Sequence, residues 1–194
     1  TDEDVPYQGA LVGYDEEGGS LTFLIIEEPA NGIISNIDDS DGSFIYTPSE
    51  NYYGSDSFTY SVDDGYYSSN ISVVSIVVNP INDEPYVMNA TASTIEDIEY
   101  AGTLFGTDVD SDDLNFVIAT EPLNGVVALI DASTGDYTYN PNQNYNGDDS
   151  FTYYVTDGVD NSGYGEVIIT ISPENDAPVI TEISDLNIDE DNTL

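Results

Sequence analysis

The segment NYYGSDSFTYSVDDG, residues 51–65, returns as NYNGDDSFTYYVTDG at residues 144–158, an offset of 93 positions. Aromatic and aliphatic residues alternate with small or polar ones from Ser57 to Val62, and again from Ser150 to Val155. A period of two is typical of a β-strand with one buried face. The two copies therefore predict the same half-buried strand twice.

The repetition extends outward from this strand over most of the chain. The offset of 93 aligns the sequence with itself without a gap from Thr1 to Val87. Val74 and Ile76 continue the alternation in a second predicted strand, and their counterparts are Val167 and Ile169. The expected core residues are Phe58, Tyr60, Val62, Val74 and Ile76 in the first repeat, and Phe151, Tyr153, Val155, Val167 and Ile169 in the second.

Turn signals separate the predicted strands. Asn-Gly pairs at 31–32 and 124–125 lie between apolar segments and predict hairpins with type I′ turns. Asp41-Gly42 and Thr134-Gly135 predict a second turn in each repeat. No stretch has a sustained helical period. Many short strands with closely spaced turns predict an all-β chain of antiparallel β-sandwiches.

Each repeat is long enough to fold as a domain. The sequence predicts two tandem domains, residues 1–87 and 88–180, with boundaries at the prolines near Pro85 and Pro178. Residues 181–194 are expected to form a linker and the start of a third repeat, because Glu190-Asp191 repeats the pair Glu3-Asp4. The chain is thus expected to be a piece of a longer tandem array.

The charge composition restricts the partners of this protein. The 194 residues include 39 Asp and Glu but no Lys, Arg or His, which gives a formal net charge of −39. Without cationic side chains, binding to nucleic acid or to an anionic membrane surface is disfavoured. No apolar run reaches the roughly 18 residues of a membrane span. Metal cations are the strong counter-charge that remains.

Several acidic residues recur at the same positions in both repeats, whereas acids that only keep a surface soluble are free to drift. The recurring acids are Glu3, Asp4, Asp15, Asp38, Asp56, Asp64 and Asp83, with Glu96, Asp97, Asp108, Asp131, Asp149, Asp157 and Asp176 as their counterparts. Calcium takes six to eight oxygen ligands and suits such clusters. Zinc and copper prefer the His and Cys side chains that this chain lacks. Two interpretations remain open, calcium sites or solvated turns.

The order of motifs resembles a known family. Each repeat contains Pro-x-Asn-Gly, then Tyr-x-Pro, then Asn-Tyr-x-Gly-x-Asp-Ser-Phe-Thr-Tyr-x-Val-x-Asp-Gly, and finally Asn-Asp-x-Pro. This series is similar to the bacterial cadherin-like, VCBS-related repeats of large secreted adhesins. The resemblance implies immunoglobulin-like, cadherin-like sandwiches in a secreted or cell-surface protein, with calcium at the junctions between domains.

The resemblance also implies calcium ligands by position. For the first junction they are Glu3, Asp56, Asn82, Asp83, Asp108, Asp110 and Asp157; for the second they are Glu96, Asp149, Asn175 and Asp176. The linkers NPINDEP and SPENDAP depart from the animal cadherin linker Asp-x-Asn-Asp-Asn-x-Pro. The number of ions at each junction is therefore left open.

Two functions are weighed for such a chain. The first is a structural extender of an adhesin or surface fibre, whose partners are the neighbouring repeats and other copies in the fibre. The second is a glycan- or protein-binding module that uses Tyr66 and Tyr67, which do not recur in the second repeat. An enzyme is not expected, because catalytic carboxylates should occur once whereas the prominent acids here recur.

Overall fold

The computed structural model describes residues 1–110 and 113–180. The predicted start of a third repeat, 181–194, lies outside the described residues. Within them the regular secondary structure is entirely β. No helix among the described residues has the length and apolarity needed to cross a membrane.

The described chain divides into two compact units. The first holds residues 1–84 together with 108–110, and the second holds 85–107 and 113–180. The predicted domain boundary at 87/88 stays a prediction. The strands of the first unit are β1 (Tyr7–Ala10), β2 (Thr22–Glu27), β3 (Gly32–Ser35), β4 (Ser43–Pro48), β5 (Gly54–Asp63) and β6 (Ser72–Val78).

The first unit is a sandwich of two three-stranded antiparallel sheets. Their strand orders are β1-β4-β3 and β2-β5-β6. The predicted strand Ser57–Val62 lies within β5. Phe44 of β4 and Phe58 of β5 pack edge to face, with ring centroids 5.2 Å apart, so the two sheets share one core.

The second unit repeats this plan with additional strands. Its strands are β7 (Tyr86–Val87), β8 (Ala90–Ile95), β9 (Tyr100–Thr103), β10 (Gly106–Thr107), β11 (Asn115–Thr120), β12 (Gly125–Asp131), β13 (Asp136–Pro141), β14 (Gly147–Thr156) and β15 (Gly165–Ser172). The main sheets have the orders β12-β13-β9 and β11-β14-β15-β8, and β7 pairs with β10. Strand β8 runs parallel to β15, whereas the other ladders among the described residues are antiparallel.

The predicted core is confirmed in the second unit, where all five expected residues are buried. In the first unit Phe58 and Val62 are buried, whereas Tyr60, Val74 and Ile76 are only partly buried against the core. The two repeats therefore place the same residues on the same face but cover them unequally.

The predicted type I′ turns at the Asn-Gly pairs are wrong. None of their four residues has a positive φ angle. The pair at 31–32 joins β2 to β3, which lie in different sheets, so no hairpin forms there. Glycine is needed for space instead, because a Cβ on Gly32 would lie 2.5 Å from the ring of Tyr46. Gly125 has the same relation to Tyr139.

The second predicted turn is present in both units. Gly42 and Gly135 have φ angles of 74° and 77°, in the left-handed region that glycine adopts without strain. They lie just before β4 and β13.

Candidate cation-binding site

Asp56 and Asp149, both predicted calcium ligands, are buried inside their own units and hydrogen-bonded there. Asp56 accepts hydrogen bonds from the backbone amides of Ala30, Asn31 and Ser57, at 2.8 to 3.0 Å, and from the Tyr46 hydroxyl at 2.9 Å. These bonds secure the Pro-x-Asn-Gly segment to β5. The carboxylate thus has a structural reason to recur, without a metal.

The second unit reproduces this arrangement at Asp149. Its oxygens accept bonds from the amides of Leu123, Asn124 and Ser150 and from the Tyr139 hydroxyl. The oxygens of both residues are therefore occupied by protein donors, and their metal role stays a prediction without geometric support.

The hydrogen bonds also set the protonation of this network. Desolvation acts to raise the pKa of Asp56, but the bonds from the amides and from Tyr46 outweigh it and lower the pKa below its usual value. Burial and the adjacent carboxylate raise the pKa of Tyr46. Asp56 is consequently ionised and Tyr46 neutral near neutral pH.

Glu3 differs from Asp56 and Asp149, because one of its two carboxylate oxygens is buried without a hydrogen-bond partner. It is 2% exposed, which is unusual for a carboxylate without a cationic partner. Its Oε1 accepts the Ile81 amide at 2.5 Å, but its Oε2 is buried and has no hydrogen-bond partner. A buried ionised oxygen of this kind is costly unless a counter-charge reaches it.

Two further predicted ligands in the first unit share this property. The Oδ2 atoms of Asp83 and Asp108 are likewise buried without a partner. Asp110 links them, because its Oδ2 accepts the Asp83 amide at 2.8 Å and its own amide donates to Asp108 Oδ1 at 2.8 Å. The first unit thus brings together two segments, 82–83 and 108–110, that are distant in sequence.

Burial and the neighbouring acids raise the pKa of Asp83. Desolvation raises this pKa above the usual value, and the charges of Asp110, Asp4, Glu3 and Asp108 raise it further. The structure therefore places four other acids close enough to disfavour the ionisation of Asp83. We name Glu3, Asp83, Asp108 and Asp110 the acidic cluster.

The cluster is not a preformed ligand shell. Among residues 1–110 and 113–180, no three acidic side chains are already arranged around one metal position. Its orphaned oxygens nonetheless fit a hard cation, since calcium is bound by carboxylate and carbonyl oxygens in flexible geometry.

The remaining residues predicted for the first site lie as follows. Asn82 is half-buried and its side-chain amide donates to the Asp83 carbonyl at 3.2 Å. Asp157 lies in the loop after β14, where its Oδ1 accepts the amides of Val159 and Asp160. The structure thus brings Asn82 next to the cluster and gives Asp157 a role in its own turn.

The residues predicted for the second site lie in the second unit. Glu96 is buried; its Oε1 accepts the Glu174 amide at 2.6 Å and its Oε2 accepts the Asn146 side-chain amide at 3.4 Å. Asn175 and Asp176 are exposed. Glu96 thus repeats the position of Glu3 with its second oxygen partnered.

The sequence prediction omitted Asp4 from the first site. Asp4 contributes to the raised pKa of Asp83, and its Oδ1 accepts the Asn51 amide at 3.1 Å. The signal was available, because the pair Glu3-Asp4 recurs as Glu96-Asp97. Asp97 accepts the Asn144 amide in the same way.

Comparison with known protein families gives one match in each half of the chain. Residues 82–173 match the profile of the bacterial cadherin-like domain, and residues 1–77 match that of the bacterial Ig domain. Each profile thus matches one part of the chain, and neither match covers half of it. The expected cadherin-like, immunoglobulin-like β-sandwich fold is thereby confirmed.

The relative found among curated proteins is distant in sequence. Integrin beta-like protein C of Dictyostelium discoideum is 28% identical over 57% of this chain, and the match spans 7% of that protein. The chain therefore corresponds to a small part of this relative.

Two human protocadherin structures share the fold. Protocadherin-24 EC1-2 superposes with a TM-score of 0.61 at 14% identity, covering 86% of this chain and 88% of its own. Mucin-like protocadherin EC1-2 gives a TM-score of 0.55 at 16% identity, covering 89% and 94%. At such identities the likeness shows the fold alone.

Proposed function

We propose that this chain is a structural extender segment of a long extracellular adhesin or surface fibre, stiffened by calcium. The observation that carries the proposal is the acidic cluster: three buried carboxylate oxygens lack partners in a chain without a single basic side chain. Domains of the two families are typically non-enzymatic, and the proposal assigns no reaction to this segment.

Calcium would remove the electrostatic cost that the cluster carries. Two carboxylates about 5 Å apart repel by roughly 3 kcal/mol at an effective dielectric near 20. An ion held by Glu3, Asp83, Asp108 and Asp110 would turn this repulsion into attraction, with backbone carbonyls and water completing six to eight ligands. The side chains would rotate toward the ion, because calcium tolerates a range of ligand distances and angles.

Stiffening follows from the path of the chain. Residues 108–110 are grouped with the first unit, whereas Thr107, directly before them, and Asp113, three residues after Asp110, belong to the second unit. An ion that holds Asp108 and Asp110 against Glu3 and Asp83 would restrain the connection between the units. Without the ion, repulsion would loosen this segment and leave the units freer to move.

Of the second predicted set, Glu96, Asn175 and Asp176 fit the same scheme, with further ligands still to be supplied, whereas Asp149 is hydrogen-bonded within its own unit. Asn175 and Asp176 are exposed and follow Glu174, whose amide donates to the buried Glu96. We propose that a following repeat would complete this site, as 108–110 completes the first.

Calcium is expected to stabilise the protein through the acidic cluster. Extracellular calcium modules bind at about 10⁻⁴–10⁻³ M, and calcium at ten to a hundred times this level adds about 1.4–2.7 kcal/mol per site. Thermal melts of the whole chain, in calcium and in chelator, measure the gain. Asp83→Asn should abolish it.

The same variant gives an opposite result in chelator. Because the pKa of Asp83 is raised in the folded protein, its ionised form destabilises the first unit near neutral pH. Asp83→Asn should therefore melt higher than the parent without calcium. Glu28→Ala, at an exposed position outside the cluster, is the control and should keep the full calcium response. A response that survives Asp83→Asn undiminished rules out this site.

A second function has one observation in its favour. Tyr66 and Tyr67 are 88% and 81% exposed in the loop after β5. Exposed aromatic pairs suit glycan or protein contacts. A glycan array probed with the parent chain and with Tyr66→Ser/Tyr67→Ser distinguishes this binding module from a pure extender, because only the former loses signal on substitution.

A further inference from the structure

Three positions on one face of the second unit differ in chemistry from their counterparts in the first. Under the offset of 93, the second repeat has two tyrosines and a carboxylate where the first has a small residue and two aliphatic ones: Tyr154 for Ser61, Tyr164 for Ile71 and Glu166 for Val73. The two units share their main strands and their core positions, so the common sandwich plan does not require these side chains. Their presence indicates a role that belongs to the second unit alone.

The three side chains lie side by side on the outer face of the sheet β11-β14-β15-β8. Burial alternates along β14 and β15, and Tyr154 and Glu166 lie between buried residues. Thr152, two residues before Tyr154 on the same face, pairs with Glu166 across the ladder. The ring centroids of Tyr154 and Tyr164 are 6.1 Å apart with their planes at 87°, an edge-to-face contact that orients both rings.

A pocket opens beside these rings. Its volume is about 250 Å³, and it is lined by Tyr86, Val87, Asn89, Gly163 and Tyr164. Tyr86 and Tyr164 are 64% and 74% exposed. A Cβ built on Gly163 would have no other atom of the described residues within 4 Å, so the pocket is open along this wall. Its volume is below the roughly 300–1,000 Å³ that encloses a drug-sized ligand, which suits a single ring of a larger molecule.

Polar groups beside the rings are oriented for a ligand that carries hydroxyl groups. The Asn89 Oδ1 accepts the Glu166 amide at 2.9 Å, which leaves the Asn89 Nδ2 as a donor for a ligand. The ionised Glu166 carboxylate only accepts hydrogen bonds, and a tyrosine hydroxyl both donates and accepts. Together these groups can bond the hydrogen and the oxygen of an alcohol. We name Tyr86, Asn89, Tyr154, Tyr164 and Glu166 the tyrosine patch.

The charges in and around the tyrosine patch restrict the class of ligand. The chain has no Lys, Arg or His, so an anionic ligand would find no cationic side chain here. A basic ligand would be drawn to the acidic turns instead, because residues 85–95, 150–156 and 161–165 contain no acid. Two copies of this chain would bring two Glu166 carboxylates together without a cation between them. A neutral ligand fits best.

We propose that the tyrosine patch binds one ring of a neutral polysaccharide. A pyranose ring presents C–H groups on its faces, and these pack on the electron-rich faces of Tyr86 and Tyr164. The hydroxyls around its rim bond the Glu166 carboxylate and the Asn89 amide. The remaining sugars extend along the open sheet face. This binding does not rest on the calcium site, because the acidic cluster is grouped with the first unit and the whole tyrosine patch with the second.

Affinity electrophoresis of the whole chain in chelator tests the proposal. Each native gel contains one polysaccharide: a neutral β-glucan, galactomannan or xylan, or the anionic alginate. At least one neutral polysaccharide should retard the protein, and alginate should not. The gels are run with the parent and with Tyr66→Ser/Tyr67→Ser, which separates the tyrosine patch from the loop after β5. The protein is made in a host without N-glycosylation, because Asn89-Ala90-Thr91 matches the acceptor triplet.

Two variants change the tyrosine patch without removing a buried side chain. Tyr164→Ala removes an exposed ring, and Gly163→Val adds a side chain at the open pocket wall. Each should raise the apparent Kd for the retarding polysaccharide about tenfold or more. Leu123→Ala, at an 88% exposed position, is the control and should bind like the parent. Thermal melts check that all three variants are folded.

Several results would overturn this assignment. One is a parent that no neutral polysaccharide retards, or that alginate retards equally. Another is retardation of Tyr164→Ala and Gly163→Val that equals the control. A dimer in sedimentation that Tyr164→Ala abolishes would also overturn it, because a second copy would then occupy the tyrosine patch.

Discussion

Replacing Phe151 with alanine is expected to lower the free energy of unfolding of the second unit by about 3–5 kcal/mol, the cost of removing a large buried aromatic ring. Phe151 is 1% exposed at the centre of β14. Its ring packs edge to face on Tyr137, with centroids 5.3 Å apart and planes at 70°. The cavity left by the missing ring cannot collapse easily, because side chains of both sheets line it.

Denaturant melts of the whole chain measure this loss. Phe105→Ala is the matched control, since Phe105 is 51% exposed in the same unit and should lose less than about 1 kcal/mol. A loss at Phe151 as small as that of the control would contradict the sandwich core described here.

Asp56→Ala is expected to cost the first unit about 3 kcal/mol or more. The substitution leaves three amides and the Tyr46 hydroxyl without their acceptor. A buried donor left without a partner costs about 1–3 kcal/mol. Asp41→Ala is the control, because Asp41 is exposed and accepts the Ser43 amide alone among the bonds described.

Calcium and pH separate this structural role from a metal role. The loss at Asp56 should be equal in calcium and in chelator; a loss confined to calcium would restore Asp56 as a ligand. Because the folded pKa of Asp56 is lowered, its contribution is complete above its unfolded pKa and is lost as pH falls through the folded pKa. The parent and Asp56→Ala should therefore converge in stability under acid conditions.

The fold was largely predictable because burial alternates along the strands. Ser57–Val62 lies in β5 and its copy in β14, as the period of two indicated. The Asn-Gly turns were not predictable in this way. Gly32 is required by the ring of Tyr46, a contact between residues that no local pattern reveals.

The parallel strand β8 was also missed, for a related reason. Its inward residues are Ala90, Ala92 and Thr94, so hydrophobicity barely alternates along it. Small residues at a covered edge carry little sequence signal, although they permit the close approach of two strands.

The candidate site was predictable in part. Recurrence of acids pointed to Glu3 and Asp83, whose buried oxygens lack partners, but it pointed equally to Asp56. A carboxylate that accepts hydrogen bonds from backbone amides and one that binds a cation would both recur at fixed positions in the repeats. Only the hydrogen-bond partners distinguish the two roles.

Small-angle X-ray scattering of the whole chain, in calcium and then in chelator, tests the central claim most directly. If calcium at the acidic cluster stiffens the connection between the units, the maximum dimension should increase and the flexibility decrease in calcium. Both changes should reverse with chelator and be absent in Asp83→Asn. A maximum dimension and flexibility that calcium leaves unchanged would contradict the account.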